Sequence, residues 1–189
     1  MRVISGKAKG RKLKMPVGVE VRPITDMIKE ALFNILTMDL PDSRFLDLFS
    51  GSGSVGIEAL SRGASKVVFV DLSPICVKTI NENITHCGFT EGFEVIKQDA
   101  IAAIRWLQRK EAEFDLIYID PPFSEKELYN QIWSALNDRP LLANDGGVII
   151  RAPKNMKLPS SGSQLQQSQV RKYGDSILYF YKPERGEER

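Results

Sequence analysis

Between residues 45 and 151, short apolar runs alternate with longer amphipathic segments. The runs Phe45–Phe49, Lys66–Val70, Phe93–Lys97, Asp115–Ile119 and Gly147–Arg151 predict strands. The segments Val55–Arg62, Pro74–Cys87, Ile101–Arg109 and Glu125–Leu136 predict the intervening helices. The stretch from Phe114 to Ile119 is almost continuously apolar, as a strand covered on both faces is. This alternation argues a mostly parallel sheet with helices on both sides. After Arg151 the pattern changes. Residues 153–163 form a polar loop rich in Pro, Gly and Ser, and Gln166–Tyr173 and Ser176–Tyr181 then predict two antiparallel strands about Gly174-Asp175.

The amino-terminal region follows different rules. Val3-Ile4-Ser5 and Arg11-Lys12-Leu13 flank Gly-Lys-Ala-Lys-Gly, which predicts a short hairpin, and Pro16, Gly18 and Pro23 punctuate a loop after it. A helix is expected from Thr25 or Asp26, with Ile28, Ala31, Leu32 and Ile35 as its buried stripe and Pro41-Asp42 closing the segment. The expected organisation is a basic extension over residues 1–40, an α/β domain over 41–183 and a charged tail over 184–189.

Charge sharpens that division. Residues 1–25 carry seven basic side chains and one acid, Glu20, a local charge of +6 in a chain whose net charge is only +2. A basic leader on a mildly acidic body predicts contact with phosphates, through Arg2, Lys7, Lys9, Arg11, Lys12 and Arg22. At 189 residues and 42% hydrophobic composition the chain is expected to be a compact soluble protein. No apolar run is long enough to cross a bilayer, and no uninterrupted apolar stretch follows the basic start, so a cytoplasmic location is expected. Cys76 and Cys87 make no metal-binding spacing, and His86-Cys87 has nothing nearby to complete a metal site.

Two motifs carry the chemistry. Asp47-Leu48-Phe49-Ser50-Gly51-Ser52-Gly53-Ser54-Val55-Gly56 joins the first core strand to its helix, and Asp71 ends the next strand 20 residues after Gly51. By itself, Gly51-x-Gly53-x-x-Gly56 with Asp71 fits a dinucleotide or S-adenosylmethionine equally well. Acidic residues at the ends of four strands, Asp47, Asp71, Asp99 and Asp120, favour a cationic cofactor and oppose a pyrophosphate. The second motif, Asp120-Pro121-Pro122-Phe123, follows the most apolar strand. There, at a carboxyl-terminal strand end, open α/β sheets bind ligands. A carboxylate, a proline-stiffened carbonyl and an aromatic ring suit a planar base gripped by its exocyclic amine, the substrate of a nucleic-acid amino-methyltransferase.

With these motifs in place the chain resembles the RsmD-type 16S rRNA guanine-N2 methyltransferases. The resemblance rests on Arg2-Val3-Ile4-Ser5-Gly6 with Lys9-Gly10-Arg11-Lys12-Leu13, on Arg22-Pro23-Ile24-Thr25-Asp26, on Glu30-Ala31-Leu32-Phe33-Asn34, on the glycine loop, on Asp120–Phe123 and on the Tyr173-Gly174-Asp175 turn. It implies a class I methyltransferase, a Rossmann-like α/β sheet, mostly parallel with an antiparallel carboxy-terminal hairpin. It also implies S-adenosyl-L-methionine as cofactor, and small-subunit rRNA or an assembling small subunit as partner. A compact single domain with no obvious pairing element is expected to be a monomer. Expected cofactor contacts are Asp47, Phe49, Gly51, Gly53, Asp71, Leu72, Asp99, Ala100 and Asp120. Asp120, Pro121, Pro122 and Phe123 are expected to carry catalysis. One departure is that Met27 and Lys29 stand where the family commonly has arginine. The alternatives are an adenine-N6 or other amino-methyltransferase, a nicotinamide oxidoreductase and a non-catalytic RNA-binding protein.

Overall fold

The computed structural model describes residues 1–19 and 22–184; Glu20, Val21 and residues 185–189 of the expected tail lie outside the described residues. The chain forms two compact units, Met1–Ala100 and Ile101–Arg189.

In the first unit, α1 (Asp26–Ile35) starts where Thr25 caps it, the threonine hydroxyl accepting from the Ile28 amide. Its buried face is Ile28, Lys29, Leu32 and Phe33, continued by Leu36. This face is rotated slightly from the expected stripe, because Ala31 and Ile35 are only half-buried. Phe33 stacks on Phe45 with ring centroids 6.4 Å apart. The strands β1 (Arg44–Leu48), β2 (Lys66–Asp71) and β3 (Phe93–Lys97) run parallel in the order β3-β2-β1. The helices α2 (Ser54–Ser61) and α3 (Pro74–His86) connect them. Both helix starts have local causes. Ser73 caps α3 by accepting from the Cys76 amide, and Pro74 enters at the first turn. Gly53 holds a left-handed conformation ahead of α2.

The hairpin expected at the amino terminus reduces to one antiparallel bridge, Arg2 with Lys12. It is closed by Val3 donating to the Arg11 carbonyl (2.9 Å) and Gly10 to the Val3 carbonyl (2.9 Å).

The second unit contains β4 (Phe114–Ile119), α5 (Lys126–Asp138), β5 (Leu142–Pro153), β6 (Leu165–Tyr173) and β7 (Ser176–Pro183), ordered β4-β5-β7-β6. The helix α4 (Ala100–Arg109) leads into it. β4 and β5 pair in parallel; β7 is antiparallel to both β5 and β6. β5 is 12 residues long, starting five residues before the predicted strand, because a register shift between Phe114 and Leu116 lets Leu142 pair with Phe114 ahead of the apolar run. The β6–β7 turn falls at Gly174, whose φ of +56° favours glycine. The apolar residues of β4, β5 and β7, with Tyr129, Ile132 and Leu136 of α5, form the buried centre of this unit.

Candidate functional site

The glycine loop between β1 and α2 has unusual backbone. Gly51 and Gly53 have φ of +56° and +77°, and Phe49 has φ of +65°, a region that bulky residues rarely enter. Strain of this kind costs about 1–3 kcal/mol and gathers at ligand sites. Two carboxylates hold the loop in this shape. Asp47, almost completely buried, accepts from the Gly56 amide in the first turn of α2 (2.9 Å). Asp71 accepts from Gly51 (2.8 Å) through one oxygen and from Ser73 (2.9 Å) through the other. The third glycine, Gly56, lies so close to β2 that a Cβ there would overlap the Phe69 ring.

Beside Asp71, Leu72 and Ile75 are exposed apolar side chains. Asp99 is exposed just after β3, and the buried Ala100 follows it. A cofactor with a cationic amino acid, ribose hydroxyls and an adenine needs acceptors and an apolar surface, and these residues supply both. What braces the glycine loop from behind was not legible in the sequence. The Asn83 side chain, fully buried in α3, donates to the Ser52 carbonyl (2.9 Å) and to the Lys14 carbonyl (3.0 Å), and accepts from the Lys14 amide (2.8 Å). One amide group therefore ties the glycine loop to the end of the basic leader. Asparagine in an amphipathic helix carries no pattern that would reveal this.

The basic leader is docked rather than loose. Ile4 and Ser5 donate their amides to the two oxygens of Glu58 in α2 (2.8 and 3.0 Å). Lys7 and Ala8 donate to the carbonyl and hydroxyl of Ser61 (2.8 and 2.9 Å). Arg2, Lys7, Lys9, Arg11, Lys12 and Arg22 are all exposed, as phosphate contacts need to be. Lys29 points inward instead. Its ammonium donates to the Arg2 carbonyl (2.7 Å) and to Ser54 Oγ (2.9 Å), and pairs with Glu58 at 3.6 Å. Burial pulls the Lys29 pKa below its ordinary value, and the Glu58 charge opposes this. Met27, by contrast, is exposed.

In the second unit, Asp120-Pro121-Pro122-Phe123 leaves the end of β4 as expected, with Pro121 buried, Pro122 exposed and Asp120 and Phe123 half-buried. Three side chains that sequence reasoning did not single out hold it. Arg151, near the end of β5, donates to Asp120 Oδ2 at 2.8 Å and to Ser176 Oγ at 3.3 Å. Its guanidinium carbon sits 5.1 Å from the centre of the Phe123 ring. Tyr118 donates to the same Asp120 oxygen at 3.2 Å. The Tyr129 hydroxyl lies 3.3 Å from the Pro121 carbonyl and 3.2 Å from the Arg151 carbonyl. Burial works to lower the Arg151 pKa. The charges of Asp120, Tyr118 and Asp175 together outweigh it, so the net shift is upward and the guanidinium stays charged. The signal available in the sequence was an arginine closing the apolar run Val148-Ile149-Ile150, where an unpartnered charge would be costly.

The chain belongs to the RsmD-type methyltransferase family, since the family model described as "Conserved hypothetical protein 95" matches residues 1–182. It is 35% identical over 182 residues to the Bacillus subtilis protein named "Putative rRNA methyltransferase YlbH", spanning 96% of this chain and 98% of that one. It is 39% identical over 125 residues to "Ribosomal RNA small subunit methyltransferase D" of Haemophilus influenzae, spanning 65% of this chain and 64% of that relative. Among solved structures, "Putative methyltransferase yhhF" from Escherichia coli matches with a TM-score of 0.81 at 25% identity, over 97% of this chain and 98% of that one. The fold is accordingly the class I, Rossmann-like methyltransferase fold, mostly parallel with antiparallel carboxy-terminal strands.

Proposed function

We propose that this methyltransferase transfers a methyl group from S-adenosyl-L-methionine to the exocyclic N2 amine of a guanine in small-subunit rRNA. The observation that carries the reading is the tetrapeptide Asp120–Phe123, held at the end of β4 by Arg151, Tyr118 and Tyr129. The names of the relatives, which include rRNA and small-subunit methyltransferases, support the substrate class.

The chemistry follows from what an amine on a base lacks. Its lone pair is delocalised into the ring, so it is a poor nucleophile. The cofactor supplies an electrophilic methyl on a sulfonium, and transfer is a direct in-line displacement needing no covalent enzyme intermediate. The protein's task is alignment, which contributes roughly 7–11 kcal/mol when the reactants are held in a near-attack geometry. The Asp120 carboxylate and the Pro121 carbonyl accept the two amine hydrogens, drawing electron density towards the nitrogen and aiming its lone pair. Phe123 stacks on the base, worth about 1–3 kcal/mol. A strong base is not required, because the amine becomes acidic once methylated and positively charged and releases its extra proton to water.

Asp47, Phe49, Gly51, Gly53, Asp71, Leu72, Asp99, Ala100 and Asp120 are the residues that would hold the cofactor. Of these, Asp71 serves the ribose hydroxyls and Asp99 the adenine amine. A target in a stacked helix must be extruded to reach the tetrapeptide, while Arg2, Lys7, Lys9, Arg11, Lys12 and Arg22 hold the flanking phosphates.

The test is transfer of labelled methyl to small-subunit particles that lack the modification, with wild type and Asp120→Ala in parallel. Label recovered as N2-methylguanine at one site, and lost in the variant, is the expected result. Label on adenine N6 or on another RNA would redirect the substrate, and no transfer to any nucleic acid would overturn the reading.

A further inference from the structure

We propose that Arg151 is the positioning residue of the base-binding tetrapeptide, setting the plane of the Asp120 carboxylate and the tilt of the Phe123 ring together. The proposal rests on the amino-methyltransferase reading above and adds a residue to its machinery.

Two features distinguish this arrangement from an ordinary structural ion pair. The first is its asymmetry. The Arg151 side chain is 2% exposed and that of Asp120 15%, so the guanidinium lies beneath the carboxylate and supports it from inside. The second is convergence. A guanidinium is a rigid planar fork that also stacks on rings. Here one edge grips Asp120 Oδ2 and the carbon centre meets the face of Phe123, so a single rigid group contacts both ends of the tetrapeptide, across Pro121-Pro122. The remaining contacts fix the fork itself. Its Nε donates to the buried Ser176 of β7, and the Arg151 carbonyl accepts from Tyr129, whose hydroxyl also reaches the Pro121 carbonyl. Because Oδ2 takes both Arg151 and Tyr118, the carboxylate cannot rotate without breaking two hydrogen bonds. The pairing also offsets the carboxylate's charge, which leaves Asp120 suited to orienting an amine and poorly suited to removing a proton from one.

Among the described residues, Tyr118 on β4 and Asp175 in the β6–β7 turn are titratable groups that act on Arg151 beside Asp120. Removing the cation should therefore make Asp120 easier to protonate.

The experiment compares wild type with Arg151→Met and Arg151→Lys. Arg151→Met is expected to lower kcat about 100-fold, the scale of a misplacement of roughly 1 Å, with cofactor Kd changed less than twofold. Its kcat should acquire an acid limb at higher pH than in wild type, and the Asp120 carboxyl signal in carbon NMR should titrate at higher pH too. Arg151→Lys keeps a charge but loses the fork and the ring contact. It should restore the titration while recovering only part of kcat, and it carries the comparison should Arg151→Met fail to fold. Unchanged kcat and titration in Arg151→Met would overturn the proposal. So would a loss of activity that follows thermal stability with no change in titration. The NMR readout needs no RNA: a wild type inactive on every small-subunit particle would sink the substrate reading, while the titration still decides the role of Arg151.

Discussion

Lys29 and Glu58 face one another at 3.6 Å with both side chains completely buried, in a protein whose basic leader residues are exposed. The pair is one corner of a network. Glu58 also accepts from Ile4, Ser5 and Arg62, and Lys29 also donates to the Arg2 carbonyl and Ser54. The basic leader is thus fastened to the helix that begins at the glycine loop. Removing one partner of a buried pair leaves an uncompensated charge and costs about 3–5 kcal/mol. Glu58→Ala should lose about that much in urea unfolding, and Lys29→Met with Glu58→Gln together should lose much less.

Gly6 and Gly10 share nearly the same backbone, with φ of +82° and +85°, but not the same surroundings. A Cβ on Gly6 would overlap the Ser61 carbonyl, whereas one on Gly10 meets no atom of the described residues within 4 Å. Gly10→Ala should cost only the left-handed conformation, about 1 kcal/mol. Gly6→Ala should cost about 2 kcal/mol or more and detach the leader. Its RNA affinity should then fall while methionine-cofactor affinity, measured by calorimetry, declines far less.

Gly56 presses against Phe69, so Gly56→Ala should destabilise by about 1–3 kcal/mol through overpacking. It should also weaken cofactor binding, because the Gly56 amide is the donor that Asp47 holds. Adding Phe69→Leu makes room, so the double variant should regain stability relative to Gly56→Ala. A double-mutant cycle on melting temperatures reads the coupling.

Cys76 sits at the start of α3, and burial, followed by the charge of Asp71, raises its thiol to about 11 from an ordinary 9.0. Between those values the unfolded chain releases a proton that the native state keeps, so stability is retained below pH 9 and lost as pH rises towards 11. Cys76→Ala should flatten that part of the stability profile. The native thiol should also react slowly with iodoacetamide at pH 8, since the thiolate is the nucleophile.

If the leader contacts phosphates, each lost contact should lower the slope of log Kd against log salt by about 0.7 to 0.9. Lys7→Ala with Lys9→Ala should reduce it by somewhat under two and weaken all RNA sequences alike.

The sequence by itself determined the alternation of strands and helices, the glycine loop, the tetrapeptide after β4, the turn at Gly174 and the charge of the leader. Each is written in local periodicity or in residues whose conformational demands are their own, as the positive φ of Gly51 and Gly53 illustrates. The tertiary structure alone decided what the buried polar side chains do. Lys29 reads as one more surface charge on a basic segment, and Asn83 as a polar position in α3. Arg151 reads as the polar end of a strand. Their partners lie far away in sequence: Glu58 for Lys29, Lys14 for Asn83 and Asp120 for Arg151. A buried polar group must find a partner or incur a desolvation cost of several kcal/mol, but that rule names no partner. Only the folding of the chain brings the two together, which is why the glycine loop and the tetrapeptide were legible in the sequence and the side chains that hold them in place were not.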